Sequence, residues 1–264
     1  MDHDKNREIT ESIRSLLGKD ASFYQIEIRE AVTSTNDLLC CAAEKGGKEG
    51  MVLIAREQTA GKGRSGRRFF SPSNSGLYMS ILLRPRVAPS EVPLLTPMAA
   101  VAVAMAIEAV SGREVGIKWV NDIFLDGKKI CGILTEGALR ADSPRMDYAV
   151  VGIGVNLSMP PKGFPEELKA VAGALWEEGT PPLAAVAAEI LRNFKEYYDR
   201  FEKRTFLREY KRRLFFLGRE IEILLPHGTE RGIARDITED CHLIVKTDRG
   251  RILELDSGEI RIRL

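Results

Sequence analysis

Apolar residues recur with helical spacing over residues 5–17, where Ile9, Ile13, Leu16 and Leu17 share a face and Gly18 ends the run. Phe23–Glu30 alternates with a period of two, which predicts a strand. Ser34-Thr35-Asn36-Asp37 supplies N-cap chemistry for a helix running to Gly46-Gly47, and Met51–Arg56 reads as a short apolar strand. Periodicity then fails. Residues 58–76 are polar, rich in Gly and Ser, and predict a long loop of the kind compact domains keep for function. Leu77–Leu83 predicts a strand, residues 94–111 a buried helix and Val115–Trp119 another strand. Ile123–Leu125 and Ile130–Thr135 flank Asp126-Gly127, a hairpin signal, and Tyr148–Val155 is a further strand within Met146–Leu157. A stretch punctuated by Pro and Gly, 159–182, leads to helices over 183–203 and 205–215.

From Gly218 the segments shorten. Ile221–Leu225, Arg231–Ile237, His242–Thr247, Ile252–Leu255 and Glu259–Leu264 are five short strand candidates separated by turn residues. In the last of them Ile260, Ile262 and Leu264 alternate with Arg261 and Arg263. The pattern predicts an α+β domain over residues 1–217 followed by a small β-barrel over 218–264.

Composition narrows the class. The 264 residues carry 39 Lys+Arg against 38 Asp+Glu, a net charge of +1, which argues against a global polyanion binder. With 44% hydrophobic and 29% charged residues, the chain is a core-former rather than a disordered one. Cys40, Cys41, Cys131 and Cys241 form no CxxC pair and read as a reduced, cytoplasmic set. The charged start MDHDKNREITESIRS is no signal peptide. Val92–Ile107, the longest uncharged run, contains Pro93 and Pro97 and falls short of the about 20 residues a bilayer span needs, so no membrane segment is expected. His3, His227 and His242 show no catalytic or metal spacing, and no metal site is expected in the protein itself.

The segment richest in chemistry is Gln58-Thr59-Ala60-Gly61-Lys62-Gly63-Arg64-Ser65-Gly66-Arg67-Arg68-Phe69. Gly61, Gly63 and Gly66 fit a dinucleotide fingerprint by spacing, but Phe70-Ser71-Pro72 opens no helix and no acid occurs between Gln58 and Ser90. A Walker A reading fails because Arg67-Arg68 stand where Lys-Ser/Thr belongs. The acid-free window does hold Lys62, Arg64, Arg67, Arg68, Arg84 and Arg86. Glycines between cations let backbone N–H groups approach an anion while side chains clamp it, and a small, multiply charged anion suits this better than nucleic acid. The alternative is a solvated basic loop.

A second constellation is Lys118-Trp119-Val120-Asn121-Asp122 with Lys129-Ile130-Cys131-Gly132-Ile133-Leu134-Thr135-Glu136, at strand ends that a sheet holds rigid. An ordinary hairpin with a solvated lysine pair is the plainer reading. Gly152-Ile153-Gly154-Val155-Asn156 places two glycines in a strand, which permits close approach of backbone or ligand.

In order, Ser34-Thr35-Asn36, Gln58 with Gly61–Arg67, Lys118-Trp119-x-Asn121-Asp122, Lys129-x-x-Gly132 and Gly154-x-Asn156 resemble the biotin–protein ligases, and Ser257-Gly258-Glu259-Ile260 resembles the end of their SH3-like cap. The sequence departs at Lys62, where Arg is usual, and at Val120, where Pro is usual. The resemblance implies a mixed β-sheet with helices on one face, related to class II synthetase catalytic domains, plus a C-terminal SH3-like barrel. It implies that biotin is joined to ATP, with Mg2+ arriving on the nucleotide, and then passed to one lysine of a biotin carboxyl carrier domain. Carried over residue by residue, biotin would meet Ser34, Thr35, Asn36, Gln58, Lys62, Gly63, Arg64, Lys129 and Gly132. ATP or the adenylate would meet Gly61, Arg64, Arg67, Lys118, Trp119, Asn121 and Asn156. Arg64, Lys129 and Asp122 would carry the chemistry, Asp122 by orienting the acceptor amine or taking its proton. Trp119 reads equally as a core tryptophan.

Residues 1–22 hold one helix, too few for a DNA-reading helix-turn-helix, so the monofunctional type without DNA binding is expected. Family members are often homodimers, but the residues locate no edge for one. A lipoate ligase of the same superfamily and a nucleotide-binding module without turnover are the rival readings.

Overall fold

The computed structural model describes residues 2–140, 145–225 and 228–262. His227, Arg263 and Leu264 lie outside the described residues. Six α-helices form among the described residues: α1 (Asp2–Leu17), α2 (Thr35–Glu44), α3 (Leu95–Ser111), α4 (Glu166–Lys169), α5 (Leu183–Tyr198) and α6 (Phe206–Arg213). The first seven strands are β1 (Gln25–Val32), β2 (Met51–Gln58), β3 (Gly76–Leu83), β4 (Gly116–Lys118), β5 (Asp122–Leu125), β6 (Lys128–Leu139) and β7 (Met146–Asn156). They make one sheet in the order β1-β2-β3-β7-β6-β5-β4, with β1 and β2 parallel and the other pairs antiparallel. This is the expected mixed sheet.

Strand parity explains the layers. In β3, Leu77, Met79, Ile81 and Leu83 join the main core with α3, while Leu82 turns to the other face and packs with Leu39 and Ala43 of α2. One face is therefore covered by α3 and by α1, α5 and α6 behind it, and α2 covers part of the other. Ser34 caps α2 by accepting from the Asp37 N–H at 3.3 Å, as its position predicts. Helix α3 ends at Gly112, whose φ of 69° is the left-handed C′ conformation. The stretch Pro89–Ser111 is long and apolar enough to cross a membrane by composition, but residues such as Leu95, Met98, Val101 and Ala104 are wholly buried in the core.

The remaining strands, β8 (Glu220–Leu225), β9 (Gly228–Ile237), β10 (Leu243–Thr247), β11 (Ile252–Leu255) and β12 (Glu259–Ile262), form an antiparallel sheet in the order β11-β10-β9-β8-β12. The sheet is compatible with an SH3-like cap, though no β11–β12 pairing closes it among the described residues. The Trp119 indole joins the two sheets by donating to the Cys241 carbonyl at 2.8 Å.

Candidate active site

The site lies on the α2 face of the large sheet, where β6 and β7 are stripped of side chains. Gly132 and Gly154 are register partners across the two strands. A Cβ at Gly154 would stand 2.5 Å from the Phe69 ring, and one at Gly152 would overlap the Asn36 side-chain oxygen. The close approach that these glycines predict is made by the chain's own Phe69 and Asn36.

Around this floor runs a closed polar network. The backbone N–H and hydroxyl of Thr35 donate to Gln58 Oε1 at 2.9 and 3.1 Å, and Gln58 Nε2 donates to Ser71 Oγ at 3.0 Å. The Ser80 hydroxyl stands 2.7 Å from Thr35 Oγ1 and 2.6 Å from Asn36 Oδ1. Asn36 Nδ2 reaches Glu136 Oε2 at 2.8 Å. Ser34, Thr35 and Asn36 are 1%, 3% and 4% exposed, so their polar atoms are held inside the network rather than on an open surface. Burial makes each of these bonds costly to break, which fixes the donor and acceptor pattern.

Residues 58–71 are not an open loop. Gln58 bridges Ser71 and Lys62 bridges Arg68 in antiparallel fashion, Phe69 N–H donates to the Gly61 carbonyl at 2.9 Å, and Ser65 and Gly66 turn the chain at φ 55° and 73°. The Gly63 N–H donates to the Arg67 carbonyl at 2.7 Å, so here it closes the turn instead of facing an anion. Lys62 is paired with Asp37, with Glu136 Oε1 at 3.5 Å, and its pKa is raised chiefly by the Asp37 bond. An ammonium between two carboxylates anchors the loop; it is no free clamp for an anion. Arg67 pairs with Glu259 of β12. Arg64 differs: its Nη1 donates to neutral Asn121 Oδ1 at 3.2 Å, and no carboxylate neutralises it among the described residues.

The turn from Trp119 to Asp122 brings the second constellation beside Arg64. Asn121 is held by β6, its Nδ2 donating to the Ile133 carbonyl at 2.9 Å and its carbonyl accepting from the Ile133 N–H at 3.0 Å. The Lys129 ammonium stands 2.7 Å from the buried Asp122 Oδ1. Lys118 lies 5.8 Å from the Phe124 ring centre, and burial lowers its pKa against the opposing pull of Asp122 and Glu259. Two residues expected at the adenylate have their polar atoms taken by carbonyls of the chain. Trp119 is 3% exposed in the core, and Asn156 is buried with its Nδ2 donating to the Gly173 carbonyl at 3.0 Å, a brace at the end of β7. The Trp119–Val120 peptide is cis.

Residues 29–156 match the model of the biotin/lipoate A/B protein ligase family, and residues 216–263 match that of the biotin protein ligase C-terminal domain. The chain is 33% identical over 238 residues to the bifunctional ligase/repressor BirA of Bacillus subtilis strain 168, covering 88% of this chain and 72% of the relative. The chain belongs to the biotin protein ligase family. The biotin–[acetyl-CoA-carboxylase] ligase of Mycobacterium tuberculosis is 29% identical over 255 residues, which cover 93% of this chain and 91% of that one. The Aquifex aeolicus biotin protein ligase solved with biotin and ATP superposes with a TM-score of 0.73 at 27% identity, covering 91% of this chain and 99% of the other.

Among the biotin protein ligase motifs, the fold brings together Thr35, Asn36, Gln58, Arg64, Asn121, Asp122, Lys129 and Gly132, and sets Trp119 and Asn156 aside. Sequence reading missed Phe69, Ser80 and Glu136 as site residues. Glu136 had a signal, since even positions of β6 share a face with Gly132. Ser80, the one serine in the otherwise apolar and aromatic strand β3, had one too. Phe69 had none beyond its place after the basic run.

Proposed function

We propose that the protein is an ATP-dependent biotin–protein ligase that forms biotinyl-5'-AMP, releases pyrophosphate and transfers biotin to one lysine of a biotin carboxyl carrier domain. The observation that carries this reading is the uncompensated Arg64 guanidinium, held on Asn121 beside the Lys129–Asp122 pair and next to the neutral polar wall of Thr35 and Gln58. Joining a carboxylate to the α-phosphate of ATP brings two anions together, so alignment and charge neutralisation supply most of the catalysis. Arg64, Lys129 and Lys118 are the cations for that step. Thr35, Asn36 and Gln58 offer fixed neutral donors and acceptors to the uncharged ureido ring, and the Gly132–Gly154 floor with the Phe69 ring suits its apolar partner ring. Magnesium would come with ATP, whose phosphate oxygens are the ligands it favours.

Transfer needs a neutral amine, and a lysine of ordinary pKa is deprotonated only about once in 2,500 molecules at pH 7. We assign Asp122 to orient that lysine and take its proton as the nitrogen attacks the acyl carbon and AMP leaves, with Lys129 released to the anion. We take residues 1–217 as the catalytic unit and 218–264 as the cap, a division supported by the start of β8 at Glu220. Helix α1 packs on α5 and β1, which supports a structural part for it rather than DNA reading. The four cysteines are unpaired, which supports a reducing cytoplasmic setting.

The test is ATP–pyrophosphate exchange with biotin or lipoate as the acid, followed by transfer to a carrier domain. Exchange with biotin alone and a biotinylated carrier are expected. Exchange with lipoate alone, or nucleotide binding without exchange, overturns the reading.

A further inference from the structure

Asn121 and Asp122 sit on a short turn between β4 and β5, and on their β6 side Ile133 holds the turn in place. The opposite side is held by two groups outside the family motifs, the Cys241 carbonyl and the Tyr210 hydroxyl. Trp119 Nε1 donates to the Cys241 carbonyl, presented by a residue in the left-handed region at φ 61°. The hydroxyl of Tyr210, from α6, donates to the Val120 carbonyl at 3.0 Å. Tyr210 is wholly buried, and its hydroxyl lies within electrostatic reach of Arg64 and Asp122. A buried phenol needs a partner, and its partner here is the peptide immediately before Asn121.

We propose that Tyr210 is a positioning residue: by holding the Val120 carbonyl, its hydroxyl fixes the turn that aims Asn121 at Arg64 and Asp122 at Lys129. It touches neither substrate and acts through the two side chains that follow. The inference rests on the ligase reading above and deepens it, because it assigns the alignment of the reacting groups to a helix outside the motifs.

Asn121 orients Arg64 across a single 3.2 Å bond, and Asp122 meets Lys129 across 2.7 Å. A turn released at Val120 would let both drift, and the rate of an aligned reaction falls steeply with sub-ångström misplacement. The polar wall of Thr35, Gln58 and Ser80 hangs from α2, β2 and β3, independent of that turn. Loss of the hydroxyl should therefore strike turnover harder than recognition of biotin's ureido ring, which the polar wall provides.

Tyr210→Phe keeps the ring and removes only the donor. Tyr24→Phe is the matched control, since Tyr24 is equally buried and its hydroxyl donates to the Leu191 carbonyl at 2.8 Å, away from the turn. In Y210F, kcat for biotin-dependent pyrophosphate exchange and for transfer from preformed adenylate should each fall about tenfold. The KM for biotin should stay within about twofold. Y24F should lose comparable melting temperature and turn over like wild type. Wild-type kcat in Y210F, or equal kcat losses in Y210F and Y24F, overturns the proposal. If Y210F does not accumulate folded, Trp119→Phe, which cuts the other tether, is put through the same measurements with the same criteria. Wild-type enzyme that shows no exchange with biotin would instead overturn the ligase reading itself.

Discussion

Arg67 and Glu259 are 192 positions apart in the chain, yet Arg67 Nη1 donates to Glu259 Oε1 at 3.1 Å, a link between the glycine and arginine hairpin and the last strand of the cap. Both side chains are more than a third exposed, so the pair adds on the order of 0–1 kcal/mol to stability. Its part is local: it tethers one side of the hairpin. Glu259→Gln should leave the melting temperature almost unchanged while amide hydrogen exchange at residues 61–69 quickens several-fold. Unchanged exchange would show that the tether is idle. The Arg67 bond holds the Glu259 carboxyl below its ordinary value of 4.5. A depressed carboxylate contributes stability above the unfolded-state pKa and loses it as pH falls through the folded-state pKa. The small wild-type advantage over E259Q should thus be present at neutral pH and fade on acidification below 4.5, through the lowered folded-state value.

Lys62 and Arg64 sit two residues apart and should fail differently. Arg64 is the hairpin's uncompensated cation at the site, so Arg64→Ala should slow adenylation at least about tenfold, roughly 1.4 kcal/mol, and let adenylate escape into solution. Lys62 is held by Asp37 and Glu136. Lys62→Ala should loosen the hairpin and raise adenylate escape with a smaller effect on the rate of its formation. Lys62→Arg should restore retention. Measuring pyrophosphate release beside free adenylate separates the two, and an adenylation defect in K62A as deep as in R64A would return Lys62 to the anion.

Most of the fold was legible because both hydrophobic periods are clean. The predicted strand Leu77–Leu83 is β3 but for Gly76, and helix 94–111 is α3 within one residue. The first strand begins at Gln25 rather than Phe23 because Gly18–Ser22 forms a 3-10 turn that uses up the intervening residues. The short helix α4 hid in the stretch 159–182, where Pro165 supplies its N-terminal boundary. At the site, residue types that chemistry demands were visible in order, but charge pairing was not. Whether Lys62 is a clamp or an anchor depends on Asp37 and Glu136, which lie 25 and 74 positions away and meet it only through the α2–β6 contact. The same holds for Trp119 and Asn156, whose polar atoms are taken by carbonyls of Cys241 and Gly173.

The bare patch on β6 and β7 predicts intolerance to the smallest side chain. At Gly152, an added methyl would overlap Asn36 Oδ1 and push that residue off Ser80 and Glu136. Gly152→Ala should weaken biotin binding at least about tenfold, since a fixed pattern of buried polar groups is what discriminates a polar ligand. At Gly154 the nearest atoms to the methyl belong to the Phe69 ring, which can turn aside about its Cα–Cβ and Cβ–Cγ bonds, so Gly154→Ala should cost less. Calorimetric titration of biotin into the two variants checks the order, and equal affinities would mean that the Asn36 network does not face biotin.

Arg213 tests how α6 is fastened. Its side chain is 5% exposed and joins Glu108 of α3, at 2.7 Å, to Glu209 of its own helix, while its Nε is buried without a partner. The guanidinium is dry while the Glu108 and Glu209 side chains remain 26% and 31% exposed, so desolvation falls mainly on Arg213 and the triad secures geometry more than stability. Removing one member is a different matter, because the others are left uncompensated. Arg213→Ala should destabilise by about 3 kcal/mol, a fall of roughly 6–12 °C in Tm for a chain of this size. Replacing the whole triad, Glu108→Gln with Glu209→Gln and Arg213→Met, should recover most of that loss. Thermal melts of the two variants decide between them: if the triple variant melts no higher than R213A, the penalty lies in the lost packing of the arginine stem and not in stranded carboxylates.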